Sequence, residues 1–456
     1  MTALLISGGA VVTVDDAFTV HDPGWVLVED GRISNLGAGA APPDVAAAAD
    51  RIIDATGSAV MPGMTNAHTH LFQTFFRGLA DDKPLLDWLR DCIWPGAVHL
   101  TRESAGLAAT VGLIENLRGG ATSVIDHQYI HIDEAIDDAV CQAAADLGIR
   151  FLLARGWADR NYEPSLSEDA DTVIDRTTAL RERWHGHDDG RIRIETAPLI
   201  PWGCSDEAMQ ATIADARSWG AGCHIHCAET AIEVEMSLDE RGVRHVHWLE
   251  SLGLLGPDVQ LAHSVWLDDD ELDLIAERDA VVVHCPVSNM YLASGVPRIL
   301  DMRARGIRIA LASDGPGSNN RQDMFEVLKA TALLQKVHHL DAMALQPEDV
   351  ITMACRGGAA ALGRDDVGVL APGMLADVLV VSLDSVFVAP VHRVPSALVY
   401  CATPADISHV VVGGSVVIDD GNLVGIDESA LLEAATASAA DVFRRAGVDS
   451  RLSRRS

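Results

Sequence analysis

The sequence predicts an α/β fold, a (β/α)8 barrel of the TIM type carrying a small β-sandwich built from both termini. Three observations predict it. Short β-like runs alternate with helix-spaced stretches about eight times over roughly 300 residues, which favours a parallel barrel over a doubly wound sheet. No glycine-rich dinucleotide or phosphate-loop fingerprint supports the doubly wound alternative. The two ends also look alike: LLISGGAVVTVDD (4–16) and HVVVGGSVVIDDGNLVG (409–425) are both β-rich and both broken at Gly-Gly.

Taken in order, GWVLVEDGRISNLG (24–37) reads as two strands around an Asp-Gly hairpin turn, and the Ala/Pro-rich stretch 38–49 as a surface loop. The barrel strands are expected at the run ending in NAHTH and at 122–127, 150–156, 191–198, 221–229, 259–265, 280–286 and 308–314. Helical spacing marks 103–120 and 270–280 between them. ADVLVVSLD (376–384) is a further strand, and 427–447 has helical periodicity with few breakers. The expected boundaries are 1–60 and 370–425 for the sandwich halves, 61–369 for the barrel, and 426–456 for a terminal helix and tail.

Composition narrows the function. Lys and Arg number 34 against 66 Asp and Glu, a formal charge of -32 that repels phosphate backbones and anionic lipid. Nucleic-acid and membrane partners are therefore not expected. No window approaches the ~18–20 apolar residues of a membrane span. The first basic residue is Arg32, too late for the positive flank of a signal peptide, so the expected location is cytoplasmic. Eight dispersed cysteines, with no C-x-x-C pair, read as reduced, buried thiols.

Chemistry concentrates at strand ends, where barrel enzymes keep it. NAHTH places His68 and His70 two apart, so both imidazoles share one strand face. HIHCAE places His226 at a strand end with Glu229 three residues on; LAHS gives His263 and LASDG gives Asp314. Histidines plus one carboxylate suit a borderline divalent ion, zinc or ferrous iron, with a position left open for water. His224 shares the inward parity of His226 and reads as core or as support for that set. His245 and His247, on the following helix, read as surface.

H-x-H, then H-x-x-E, then His, then Asp-Gly, flanked by a split sandwich, resembles the amidohydrolase superfamily along nearly the whole chain. PGMTNAHTHLFQTFFRG, LLDWLRDCIWPG and HCPVSNMYLASG resemble its ring-deaminating branch, which includes adenosylhomocysteine/methylthioadenosine deaminases, 8-oxoguanine deaminases and s-triazine hydrolases. Two-metal members of such barrels commonly use a carboxylated lysine. None lies between Lys83 and Lys329, so the resemblance implies a single ion, held by His68, His70, His226, His263 and Asp314.

The implied reaction is hydrolytic deamination of an amino-substituted N-heteroaromatic ring, with release of ammonia. Asp314 would take the proton of the attacking water, Glu229 would protonate a ring nitrogen, and His263 would polarise the water. Gln73 matches a position that bonds the heterocycle edge in related deaminases, and Trp88, with Phe72 or Phe76, could stack on a flat ring. Asn289 and His284 are expected to line the pocket or support the ligands, and Arg155 to contact a polar substituent. Leu199 stands where adenosylhomocysteine-type deaminases carry a substrate-contacting histidine, which favours a free base, pterin or triazine over a nucleoside. Gly315 after Asp314, where atrazine chlorohydrolase has Asn, favours an amino over a chloride leaving group. The alternatives are a triazine chlorohydrolase and an inactive barrel used for binding. A homodimer or larger homo-oligomer is the expected assembly.

Overall fold

The computed structural model describes residues 3–79 and 81–448. Seven strands come first: β1 (Ala3–Ser7), β2 (Ala10–Val12), β3 (Val20–His21), β4 (Gly24–Glu29), β5 (Arg32–Ala38), β6 (Arg51–Asp54) and β7 (Ser58–Pro62). Eight more alternate with helices: β8 (Met64–Thr69), β9 (Ala121–Gln128), β10 (Arg150–Trp157), β11 (Ile192–Pro198), β12 (Cys223–Cys227), β13 (Val259–His263), β14 (Val281–His284) and β15 (Arg308–Leu311). Four close the set: β16 (Val378–Ser382), β17 (Ile407–Val412), β18 (Ser415–Asp419) and β19 (Asn422–Leu423).

The described residues divide into two compact units, one of 3–66, 115–123 and 323–426, the other drawn from 67–114, 124–322 and 427–448. The first unit holds two sheets, ordered β5-β4-β1-β6 and β19-β18-β17-β16-β7-β2-β3. Leu4, Ile6, Val26, Val28 and Ile53 of the first sheet share one buried apolar core with Val11, Val60, Val378, Val380 and Val411 of the second. Strands from both termini therefore build one sandwich.

The two Gly-Gly pairs look alike in sequence and act differently. Gly8-Gly9 carries the chain from β1 in one sheet to β2 in the other, whereas Gly413-Gly414, both at positive φ, turn the tight β17–β18 hairpin. Asp30 and Gly31, at φ 50° and 79°, make the expected turn between β4 and β5.

The eight strands β8 to β15 form one sheet in sequence order, near-closed into a barrel. The pairs are parallel with in-step registers, for example Cys227 opposite His263 and His284 opposite Leu311. The seam is bridged where the Asp314 N–H donates to the His68 carbonyl at 3.0 Å. These strands are buried nearly throughout, as strands covered on both faces must be. All eight expected barrel runs appear, and helices Arg102–Arg118, Asp269–Arg278 and Glu428–Ala446 lie where the periodicity put them.

Three expectations need correction. The 38–49 stretch contains a short helix, Pro43–Ala48, because a proline at its first turn precedes three alanines in a row. Cys401 is exposed, while the other seven cysteines are buried. His245 is only 1% exposed and His247 half-buried. No helix among the described residues is long and apolar enough to cross a membrane.

Candidate metal centre and cavity

Strand alternation turns His68 and His70 toward the barrel axis from β8 and its first following residue, with ring centroids 4.7 Å apart. His226 comes from β12 and His263 ends β13, their rings stacked at 5.4 Å. Asp314 lies three residues beyond β15. Its Oδ1 is 3.4 Å from Nε2 of both His68 and His70, and its Oδ2 is 4.0 Å from Nε2 of His263. Donor atoms of His68, His70 and His226 lie within 4.8 Å of one another, as do those of His68, His263 and Asp314. The structure thus brings all five side chains to one centre.

The outward hydrogen bonds decide which nitrogen faces it. His70 Nδ1 lies 2.7 Å from the His127 carbonyl and His226 Nδ1 2.5 Å from the Leu199 carbonyl. A carbonyl only accepts, so both Nδ1 atoms carry the proton and both Nε2 lone pairs point inward. His68 Nδ1 meets His224 Nε2 at 2.8 Å, and His68 Nε2 is buried without a hydrogen-bond partner. Burial lowers the pKa of His68 and His226, and that of His70 to about 3, so these imidazoles are neutral, as metal ligands must be. Neutral inward nitrogens, an orphaned Nε2 and one carboxylate fit a divalent ion of the zinc type.

Asp314 accepts from the Gly315 N–H at 2.6 Å, from Ser288 Oγ at 2.5 Å and from Ser318 Oγ at 3.0 Å. Burial pushes its pKa up, but His68, His263 and His70 outweigh that and hold it well below the ordinary carboxylate range. His263 donates from Nδ1 to Asn289 Oδ1 at 2.9 Å. Its Nε2 sits 3.7 Å from Glu229 Oε2. Burial opposes a charge on His263, yet Glu229, Cys285 and Asp314 raise its pKa well above the usual value. Glu229 itself is 3% exposed and accepts from Ser294 Oγ at 3.1 Å. Burial lifts its carboxyl to about 7, so both protonation states are present near neutrality.

The backbone around these groups is unusual. Ala228 (φ 46°), His263 (68°), Ser264 (49°) and Asp314 (64°) all occupy the left-handed region without being glycine. Ala228 is clamped there: its N–H donates to His245 Nδ1 at 2.9 Å and its carbonyl accepts from Val265 and Trp266. This contact is why His245 is buried.

A cavity of about 420 Å³ opens beside the centre, lined by His70, His226, Glu229, His263 and Asp314 on one part and by apolar Leu85, Leu89, Leu199, Ile200 and Leu292 on another. Gln73 and Trp88 line it, as the sequence suggests. Asn289 supports His263 from behind. His284 is fully buried and absent from the cavity wall, and so are Phe72 and Phe76, which pack on each other in the core. Arg155 does not reach the cavity; its guanidinium is buried against Asp137 at 3.3 Å and Glu168 at 3.0 Å. An arginine near a strand end resembles a substrate contact, but here two carboxylates, Asp137 from the preceding helix and Glu168 from the segment after β10, absorb its charge.

Sequence reasoning missed Tyr129, Tyr162 and Ser318 on the cavity wall, and Ser288, Ser294 and His127 behind it. A signal existed for one pair: in DHQY, His127 and Tyr129 are two apart at the end of β9, the spacing that marks His68 and His70.

Inward-facing buried imidazoles and a carboxylate beside a second acid, all at strand ends, could hold a divalent ion and suit hydrolytic chemistry. Comparison with known proteins makes the assignment particular. Residues 59–417 match the amidohydrolase family. The chain is 39% identical to a 5'-deoxyadenosine deaminase of Methanothermobacter thermautotrophicus, covering 92% of this chain and 95% of that one. It is 38% identical to a 5-methylthioadenosine/S-adenosylhomocysteine deaminase of Halobacterium salinarum, covering 97% and 99%. Among solved structures, a zinc-bound adenosine deaminase from Xanthomonas campestris superposes with a TM-score of 0.91 at 31% identity, covering 97% and 99%. The zinc complex of atrazine chlorohydrolase from Arthrobacter aurescens TC1 gives 0.88 at 26%, covering 96% and 100%. The chain belongs to the amidohydrolase family, in its ring-deaminating branch, and is a hydrolase of C–N bonds.

Proposed function

We propose that this protein deaminates an adenine nucleoside hydrolytically, exchanging the ring amino group for oxygen and releasing ammonia. One zinc ion would be held by His68, His70, His226 and Asp314, with His263 beside them within ligand reach. The observation that carries the reading is Glu229: a buried carboxyl with its pKa near 7, on the cavity wall and 3.7 Å from His263.

When bound, the ion supplies water acidic enough to attack at neutral pH. Asp314, ionised and fixed by Gly315, Ser288 and Ser318, orients that water and accepts its proton. His263, set between Glu229 and Asp314, polarises it. Glu229 protonates the ring nitrogen next to the carbon under attack, which opens that carbon to addition. Asp314 then passes the proton it took to the amino group, which leaves as ammonia, while Glu229 recovers a proton from the new hydroxyl as the carbonyl forms. Ser294 holds one Glu229 oxygen, so the other serves the transfer.

The relatives' names favour an adenine ring. The aromatic walls of Trp88, Tyr129 and Tyr162 suit a flat base, and the apolar Leu199 and Ile200 suit an uncharged substituent. Leu199, together with the likeness to triazine hydrolases, favours a second reading, hydrolysis of an s-triazine. The eight free cysteines fit the cytoplasm, where we infer a homodimer works.

The test is ammonia release from adenosine, 5'-deoxyadenosine, 8-oxoguanine, a pterin and melamine, with chloride release from atrazine alongside, using zinc-loaded protein. Ammonia from the adenine nucleosides is the expected result. Turnover of the triazines alone would replace the first reading with the second.

A further inference from the structure

The Gln73 side chain has its orientation dictated by its neighbours. The Gly317 N–H can only donate, and it lies 3.2 Å from Gln73 Oε1. The amide nitrogen therefore faces the other way, 3.2 Å from the Tyr129 hydroxyl. That hydroxyl accepts from Gln73, and a phenol at neutral pH still has a hydrogen to place. The nearest candidate acceptor among the described residues is the Tyr162 hydroxyl, which is close enough to interact with Tyr129 but makes no hydrogen bond of normal geometry. Tyr129 is 3% exposed and lines the cavity next to Gln73, so water has little access to this proton.

The arrangement is built rather than incidental. A Cβ on Gly315 would lie 2.1 Å from Gln73 Oε1, and one on Gly317 would lie 3.0 Å from it. Trp88 Nε1 donates to the Gly317 carbonyl at 3.0 Å and so anchors the residue whose N–H orients Gln73. Two glycines and a tryptophan thus hold the amide in the one direction that leaves the Tyr129 proton and the second amide hydrogen without a well-formed hydrogen bond.

We propose that Tyr129 is a specificity-determining residue whose hydroxyl, with the free Gln73 amide hydrogen, donates to an unprotonated ring nitrogen of the substrate. This rests on the ring-deamination reading. Because Glu229 serves the nitrogen beside the reacting carbon, Tyr129 reads a different one. A substrate with a carbon at that position leaves both donors unsatisfied.

Tyr129→Phe deletes only the hydroxyl and keeps the ring. Zinc-loaded wild type and Y129F are compared on adenosine, 3-deazaadenosine and 7-deazaadenosine, with zinc content, melting temperature and calorimetric adenosine binding measured in parallel. The expected result is a fall of about 10-fold in kcat/KM on adenosine, unchanged zinc content and melting, and no difference between the two proteins on one deaza analogue. A loss below about two-fold, or the same loss on both analogues, overturns the proposal. If wild type releases no ammonia from any of the three, yet binds adenosine more tightly than Y129F, the deamination reading falls and the Tyr129 contact stands. Equal adenosine binding by the two proteins removes the contact itself.

Discussion

At the scale of single residues, protonation is governed by what touches each group, more than by its type. Glu229 and Asp314 are both buried carboxylates of one wall. Asp314 is held ionised by three imidazoles, while burial brings Glu229 to about 7. One remains an anion and the other can give and regain a proton, which is the division of labour hydrolytic deamination needs. Glu229→Gln keeps the shape and abolishes the transfer: kcat should fall by about 10²–10⁴-fold with zinc content unchanged. Near-normal turnover in that variant would remove Glu229 from the mechanism. The five side chains of the centre were legible because each ends or follows an apolar run, where period-2 alternation fixes its direction. Ser294 and Ser318 were not, because they enter from loops whose approach depends on the closed barrel, and Ser288 was not, because it enters from the short helix Pro286–Tyr291. Arg155 was misread for a related reason: its partner Glu168 lies 13 residues away, beyond any local pattern.

At the scale of elements, the short helix His245–Ser251 performs a task its sequence conceals. A histidine in a first helical turn suggests a solvated position, yet His245 is buried and its Nδ1 accepts the Ala228 N–H. Burial lowers its pKa to about 4, below the ordinary value near 6.5. The unfolded chain therefore binds a proton more readily between those values. The His245 contribution is intact above about pH 6.5 and declines as pH falls toward 4, by on the order of 3 kcal/mol in all. Urea melts of wild type and His245→Gln over pH 4–7 should show a shallower acid decline in the variant; parallel curves would refute this. By contrast, the barrel strands were readable one by one, since each is a short β-like run bounded by breakers, and the 38–49 segment was not, since alanine-rich stretches are ambiguous between loop and helix.

At the scale of the whole molecule, the fold class was legible from alternation and from the likeness of the two ends, but the separate roles of the two Gly-Gly pairs were not: which sheet a strand joins depends on pairings across hundreds of residues. The candidate metal centre draws on β8, β12 and β13 and on the segment after β15, so an ion bound there would tie distant parts of the barrel together. Dialysis against a chelator should abolish turnover and lower the melting temperature, and zinc should restore both; full turnover in protein shown to contain no divalent ion would sink the assignment. Ala228, His263, Ser264 and Asp314 hold a backbone twist that L-residues avoid, each at about 1–3 kcal/mol, and only their surroundings keep them in it. Regions kept in place this way loosen ahead of the scaffold beneath them. On gradual warming the enzyme should fall silent while its circular dichroism is still that of the native chain, and it should recover on cooling.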